Sequence, residues 1–127
     1  MSELFNTVTS LGNYNSIPTS LTSNTSVVNI IEGLTISKEA DKKNWSDGNL
    51  TYTITIDNTT DTSYESVVVE DAIDTSLVEL ILESITINGA KAQTSEYSYE
   101  NNTLKVNIER VGATSQAIIT FSVKKKI

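Results

Sequence analysis

The stretch "LTYTITIDNTT", Leu50 to Thr60, alternates apolar and polar residues almost without fault. Leu50, Tyr52, Ile54 and Ile56 fall on one side of an extended chain, and Thr51, Thr53 and Thr55 on the other. Strict period two is the signature of a half-buried β-strand. Such a strand needs a second layer over its apolar side, so the neighbouring segments decide the architecture.

Those segments read the same way. Upstream lies "LTISKEA" (Leu34 to Ala40), joined by the loop "DKKNWSDGN". Downstream come the loop "DNTTDTSY", then "ESVVVEDAI" and "ESITING", with a turn at Asn88 and Gly89. After these come "SEYSYE", a turn at Asn101 and Asn102, "TLKVNIE", a turn near Gly112, and "QAIITFSVKKK". About seven strands over about ninety residues predict an all-β fold, an Ig-like antiparallel β-sandwich. Only "TSLVELILES" can be read either as a short helix or as the start of a strand. A βαβ arrangement is disfavoured, because no amphipathic segment of helical length separates the strands.

The chain divides near Gly33. Residues 1–32 are rich in Ser, Thr and Asn, hold the single proline, Pro18, and sustain no period, so an extended or disordered N-terminal arm is expected. Within it "SVVNIIEG" is β-branched and closed by glycine, which predicts one short strand. Residues 33–127 form the sandwich domain, and 127 residues with 38% apolar content suit a single core.

Composition narrows the chemistry. A formal charge of −7 and a pI near 4.4 argue against nucleic acid, and the one cationic cluster, Lys124 to Lys126, reads as a charged strand end. With no Cys and no His, thiol and imidazole catalysis and the metal sites built on those ligands are out of reach. Asp and Asn oxygens in the two loops lack EF-hand spacing and read as solvated turns, so no metal and no cofactor is expected. No acid and base stand beside a recognisable pocket motif, and an enzyme is not expected. The start "MSELFNTVTSLGNYNS" has neither a basic nor an apolar signal region, and no stretch is long and apolar enough for membrane insertion.

The order "LTISKEAD", "GNLTYTITIDNTTDTSYESVVVEDAID", "ITING" and "ATSQAIITFSVKK" resembles the bacterial surface repeat domain known as domain of unknown function eleven, over about Leu34 to Lys126. The chain departs from that pattern in having one copy, an extra N-terminal arm, and no proline after the Asp segment. The resemblance implies an Ig-like stalk or adhesin module, some of which resemble pilin domains with Lys-to-Asn or Lys-to-Asp isopeptide cross-links. Alternation puts Lys38 on the core side of its strand and Asp71 on the core side of "SVVVEDAI", and an unpaired charge there would cost several kcal/mol. Three arrangements are open to the pair. It can be a buried salt bridge, or an isopeptide with Glu70 or Glu39 shuttling protons. In the third, Asp71 serves as the acid while an Asn from another subunit's arm (Asn13, Asn15, Asn24 or Asn29) is the partner. Asn58, on the next strand, lies too far along it and reads as an Asx-turn residue.

Exposed sheet edges and an extended arm together predict self-assembly. The expected function is a structural subunit of a fibre on a cell or spore surface, polymerising head-to-tail with other copies of itself. In that reading Val27, Val28, Ile30 and Ile31 join a neighbour's sheet, and Leu4, Phe5, Leu11, Tyr14 and Ile17 make further subunit contacts. The alternative is a monomeric adhesin or carbohydrate-binding module, which calls for an exposed aromatic patch drawn from Trp45, Tyr64, Tyr97 and Tyr99 to meet a host-surface ligand.

Overall fold

The computed structural model describes residues 2–30 and 32–126 and has no helix among them. Ile31 and the side chains of Val28, Asn29 and Ile30, assigned above to assembly contacts, lie outside the described residues. The chain separates into two units, Met1–Glu32 and Gly33–Ile127.

In the first unit the arm is a β-ribbon rather than an extended single chain. β1 (Ser2–Asn6) pairs antiparallel with β4 (Ser26–Ile30), and β2 (Thr9–Tyr14) with β3 (Ile17–Thr22). The tip is a two-residue hairpin: Tyr14 faces Ile17, while Asn15 and Ser16 take φ values of 52° and 64°. Positive φ at both positions is what a type I′ turn demands, and asparagine tolerates it. The two ladders differ in register by one residue, so Thr7 and Val8 oppose Ser23, Asn24 and Thr25. Ser23 Oγ accepts from the Val8 N–H at 3.0 Å across this bulge, and the Ser23 N–H donates to the Val8 carbonyl at 2.9 Å. Backbone pairing therefore continues through the bulge.

The second unit is an antiparallel sandwich. Its larger sheet has five strands in the order β5 (Leu34–Ala40), β6 (Leu50–Asn58), β12 (Ser115–Lys125), β8 (Val78–Ile87) and β9 (Ala90–Lys91). The smaller has three, β10 (Tyr97–Glu100), β11 (Thr103–Val111) and β7 (Tyr64–Ala72). Alternation closes the core between them: Leu50, Ile54 and Ile56 with Ala117, Ile119, Phe121 and Val123 on one side, and Val67, Val69, Leu104, Val106 and Ile108 on the other, are all buried. The outward Thr51, Thr53 and Thr55 stay partly exposed.

The segment that could be read as a helix is a turn followed by β8. Its pairing with β12 jumps between Thr120 and Ser122, from Thr86 to Ile81, which leaves residues 82–85 as a bulge. Ser84 Oγ holds it, accepting from the Ser122 N–H at 2.7 Å. The bulge turns Ile85 into the core at 1% exposure and leaves Leu82 out at 45%. That irregular spacing of apolar residues is what mimics a helical period.

Asn58 does more than form a turn. Fully buried, it accepts at Oδ1 from the Thr60 N–H at 3.0 Å and from the Thr60 hydroxyl at 2.6 Å, the Asx geometry. Its Nδ2 faces the carbonyls of Thr62, Val111 and Gly112 at 2.8, 3.1 and 3.1 Å, tying the β6–β7 connection to the end of β11. Removing that side chain strands buried carbonyls, each costly to leave unpaired. Asn58→Ala is expected to lower the unfolding free energy by about 2–4 kcal/mol. Asn58→Asp, which aims a carboxylate at three carbonyls, should cost more at neutral pH; urea denaturation of the two variants checks the order.

Candidate functional site

Lys38 and Asp71 meet. Lys38 Nζ lies 2.8 Å from Asp71 Oδ2, bringing together β5 and β7, the outermost strands of the two sheets on that side. Direct pairing puts Lys38 beside Ile54 and Asp71 beside Leu104, both buried, so each charged residue does stand on a core-facing position. Their burial differs: the Asp71 side chain is 11% exposed and that of Lys38 43%. The expectation that both charges are enclosed is thus corrected for the lysine, because the three-stranded sheet does not extend over β5.

The ammonium is held by more than the carboxylate. It sits 4.4 Å from the Tyr52 ring centre and 5.8 Å from that of Phe121, and the two rings are themselves 5.4 Å apart and tilted by 39°. A cation over aromatic faces gains electrostatic attraction while its outer side stays hydrated. Neither expected proton shuttle reaches the pair. Glu70 stands outward and faces Lys105 at 3.7 Å, and Glu39 lies on the outer side of β5 across from Thr53. Amide formation needs a neutral amine and a third group to carry the proton. A half-hydrated lysine opposite one carboxylate is set up as an ion pair.

The pair stands at the rim of an open cleft of about 550 Å³ at this end of the sandwich. Trp45, Leu50, Ile73, Leu77 and Val78 line its apolar part. Trp45 packs against the core, donates from Nε1 to the Gly48 carbonyl at 3.0 Å, and has Lys125 Nζ over its ring at 5.3 Å. The four aromatics proposed for ligand binding do not form an exposed patch. Tyr97 and Tyr99 stand across from buried Val106 and Leu104 and pack on the core, and only Tyr64 is exposed.

The ribbon presents the opposite picture. Leu4, Phe5, Val8, Leu11, Tyr14, Ile17, Leu21 and Val27 are between 51% and 79% exposed. Three of the arm asparagines can be placed: Asn13 opposite Pro18, Asn15 at the hairpin tip, and Asn24 in the bulge segment, all exposed. Val8 and Leu21 were not picked out from the sequence. Val8 lies in the bulge between β1 and β2, and Leu21 stands on β3 opposite Ser10.

No protein-family model, curated protein or solved structure matches the chain.

The unequal burial makes the ion pair asymmetric. Lys38→Met strands a nearly buried carboxylate and should destabilise by about 1–3 kcal/mol, whereas Asp71→Asn leaves an ammonium that water can solvate and should cost under about 1 kcal/mol. Thermal melts give the ranking. The denatured intact mass should equal that of the unmodified 13.9 kDa chain. A deficit of about 18 Da would mean that water had been lost to a Lys38–Asp71 amide.

Proposed function

We propose that this chain is the structural subunit of a self-assembling fibre on a cell or spore surface, built head-to-tail by docking the N-terminal ribbon of one copy onto the sandwich of the next. The observation that carries this reading is the exposed apolar surface of the ribbon. Isolated two-stranded ribbons are marginal in water, because they have no third layer to cover their faces. The eight large apolar side chains described in the ribbon together leave roughly 1,000 Å² exposed, comparable with one partner's share of a stable protein interface. Leu4 through Ile31 contain no charged residue, so docking this segment buries no ion.

A contact between two different surfaces of the same chain is heterologous, and it continues into an open filament unless the rotation closes a ring. The resemblance to surface stalk modules supports the same setting. The adhesin reading draws on the cleft beside Trp45, but Lys125 already lies over that ring, and Tyr97 and Tyr99 pack on the core, which leaves Tyr64 exposed by itself. It ranks second.

The full-length chain should sediment as concentration-dependent polymers visible as fibres by electron microscopy. Leu4→Asp, Leu11→Asp and Leu21→Asp in one chain should leave a monomer whose main thermal transition moves by less than about 2 °C, since none of these residues belongs to the core. Unimpaired polymerisation of that variant would refute the ribbon's role.

A further inference from the structure

On β5 a large apolar residue at a core-facing position is left uncovered. Ile36 pairs directly with Ile56 and shares its side of the sheet, yet Ile56 is 4% exposed and Ile36 63%. The reason is the strand count. The five-stranded sheet ends at β5 and the three-stranded sheet at β7, and the Lys38–Asp71 contact puts those two ends on the same side of the molecule. On the opposite side the sheets end in β9 and β10, only two and four residues long. The long free edges therefore flank one open seam, with Ile36 on its floor and the ion pair at one end.

We propose that β2 of a second copy fills this seam, adding to the free edge of β7 and setting its Leu11 over Ile36. This inference rests on the fibre reading and names its acceptor.

Several features select β2. The hairpin pairs Tyr14 with Ile17 across a two-residue turn, which makes that pair the hydrogen-bonded one and directs the backbone groups of Asn13 and Leu11 outward. Directly across, Pro18 has no N–H to offer, so the outer edge of β3 lacks a donor where β2 has a complete set. Leu11, at 79% the most exposed of the large apolar side chains described in the ribbon, shares its face with Thr9 and Asn13, and all of these are uncharged. Charge favours such an occupant. Met1–Glu32 carries only Glu3 and Glu32, and both units are net acidic, so docking through a charged strand of the same chain would add repulsion.

On the acceptor, Ser66 at φ 54° interrupts the ladder with β11, and no bridge joins it to Glu109. The regular edge available for pairing is therefore residues 67–72. Adding the ribbon there, with β3 following β2, extends the smaller sheet from three strands to five and matches the larger sheet.

The chain has no cysteine, so introduced pairs report without background. Full-length Leu11→Cys and full-length, size-tagged Ile36→Cys are mixed, assembled and gently oxidised, then run on a non-reducing denaturing gel. A mixed dimer is expected, at least about tenfold stronger than with Ser10→Cys or Gly12→Cys, whose side chains project to the opposite face. It should also exceed the yield from Leu82→Cys on β8 by a similar factor. Full-length Ile36→Glu should melt like the unsubstituted chain yet form at least about tenfold less polymer. If fibres form but Ile36→Cys links no better to Leu11→Cys than Leu82→Cys does, this acceptor is wrong and the fibre reading stands. A chain carrying both cysteines that closes only on itself also overturns the proposal. Failure of the unsubstituted chain to polymerise removes the fibre reading, and the seam proposal with it.

Discussion

A three-stranded sheet cannot cover a five-stranded one, and most of what distinguishes this molecule follows from that mismatch. Where the sheets overlap, alternation packs Phe121, Ile119 and Val123 against Leu104, Val106 and Ile108 to near-complete burial. Past the edge of β7 the same alternation continues along β5, but the smaller sheet does not cover it. Ile36 and Lys38 occupy core positions without a core. At one of them the sequence puts a lysine, whose charge tolerates water, and at the other an isoleucine, whose side chain gains nothing from it.

The lysine bridges one end of that open side without a strand. Its ammonium reaches Asp71 on β7 and lies over Tyr52, so one side chain joins the two sheet edges and shields an aromatic ring. An apolar residue at position 38 would leave Asp71 without its cation. The exposed isoleucine has no such function within one chain, and the ribbon has many residues in the same condition. An acceptor lacking a strand and an uncharged strand pair with a free edge are complementary, and strand addition between copies pairs both edges and covers the Leu11 face of the ribbon.

Much of the sandwich was legible in the sequence because its strands obey period two: β6 and β12 read cleanly, and the turns at Asn88–Gly89 and Asn101–Asn102 carry the residues that positive φ requires. The core-facing placement of Lys38 and Asp71 was likewise visible from parity, whereas their meeting depends on which strands lie at the edges of the two sheets. What escaped was set by register and sheet width. The bulge at residues 82–85 breaks the period of β8 and counterfeits a helix. The exposure of Lys38 depends on how many strands the opposite sheet holds, which no local pattern states. The ribbon was missed because Asn15–Ser16 is a weaker turn signal than Asn-Gly, and because its Ser, Thr and Asn content resembles that of a disordered segment. Asn58 was recognised as a turn former, but its clamp on β11 involves residues more than fifty positions away.

Amide hydrogen exchange of the full-length chain, measured in dilute solution and again after assembly, tests the central claim that the ribbon becomes covered only by another copy. Fast exchange across residues 9–14 is expected in the dilute monomer and at least about hundredfold slowing on assembly, with the free-edge amides of residues 67–72 slowing in step. Equal protection of the ribbon at every concentration, or an assembled state in which it still exchanges freely, would contradict it.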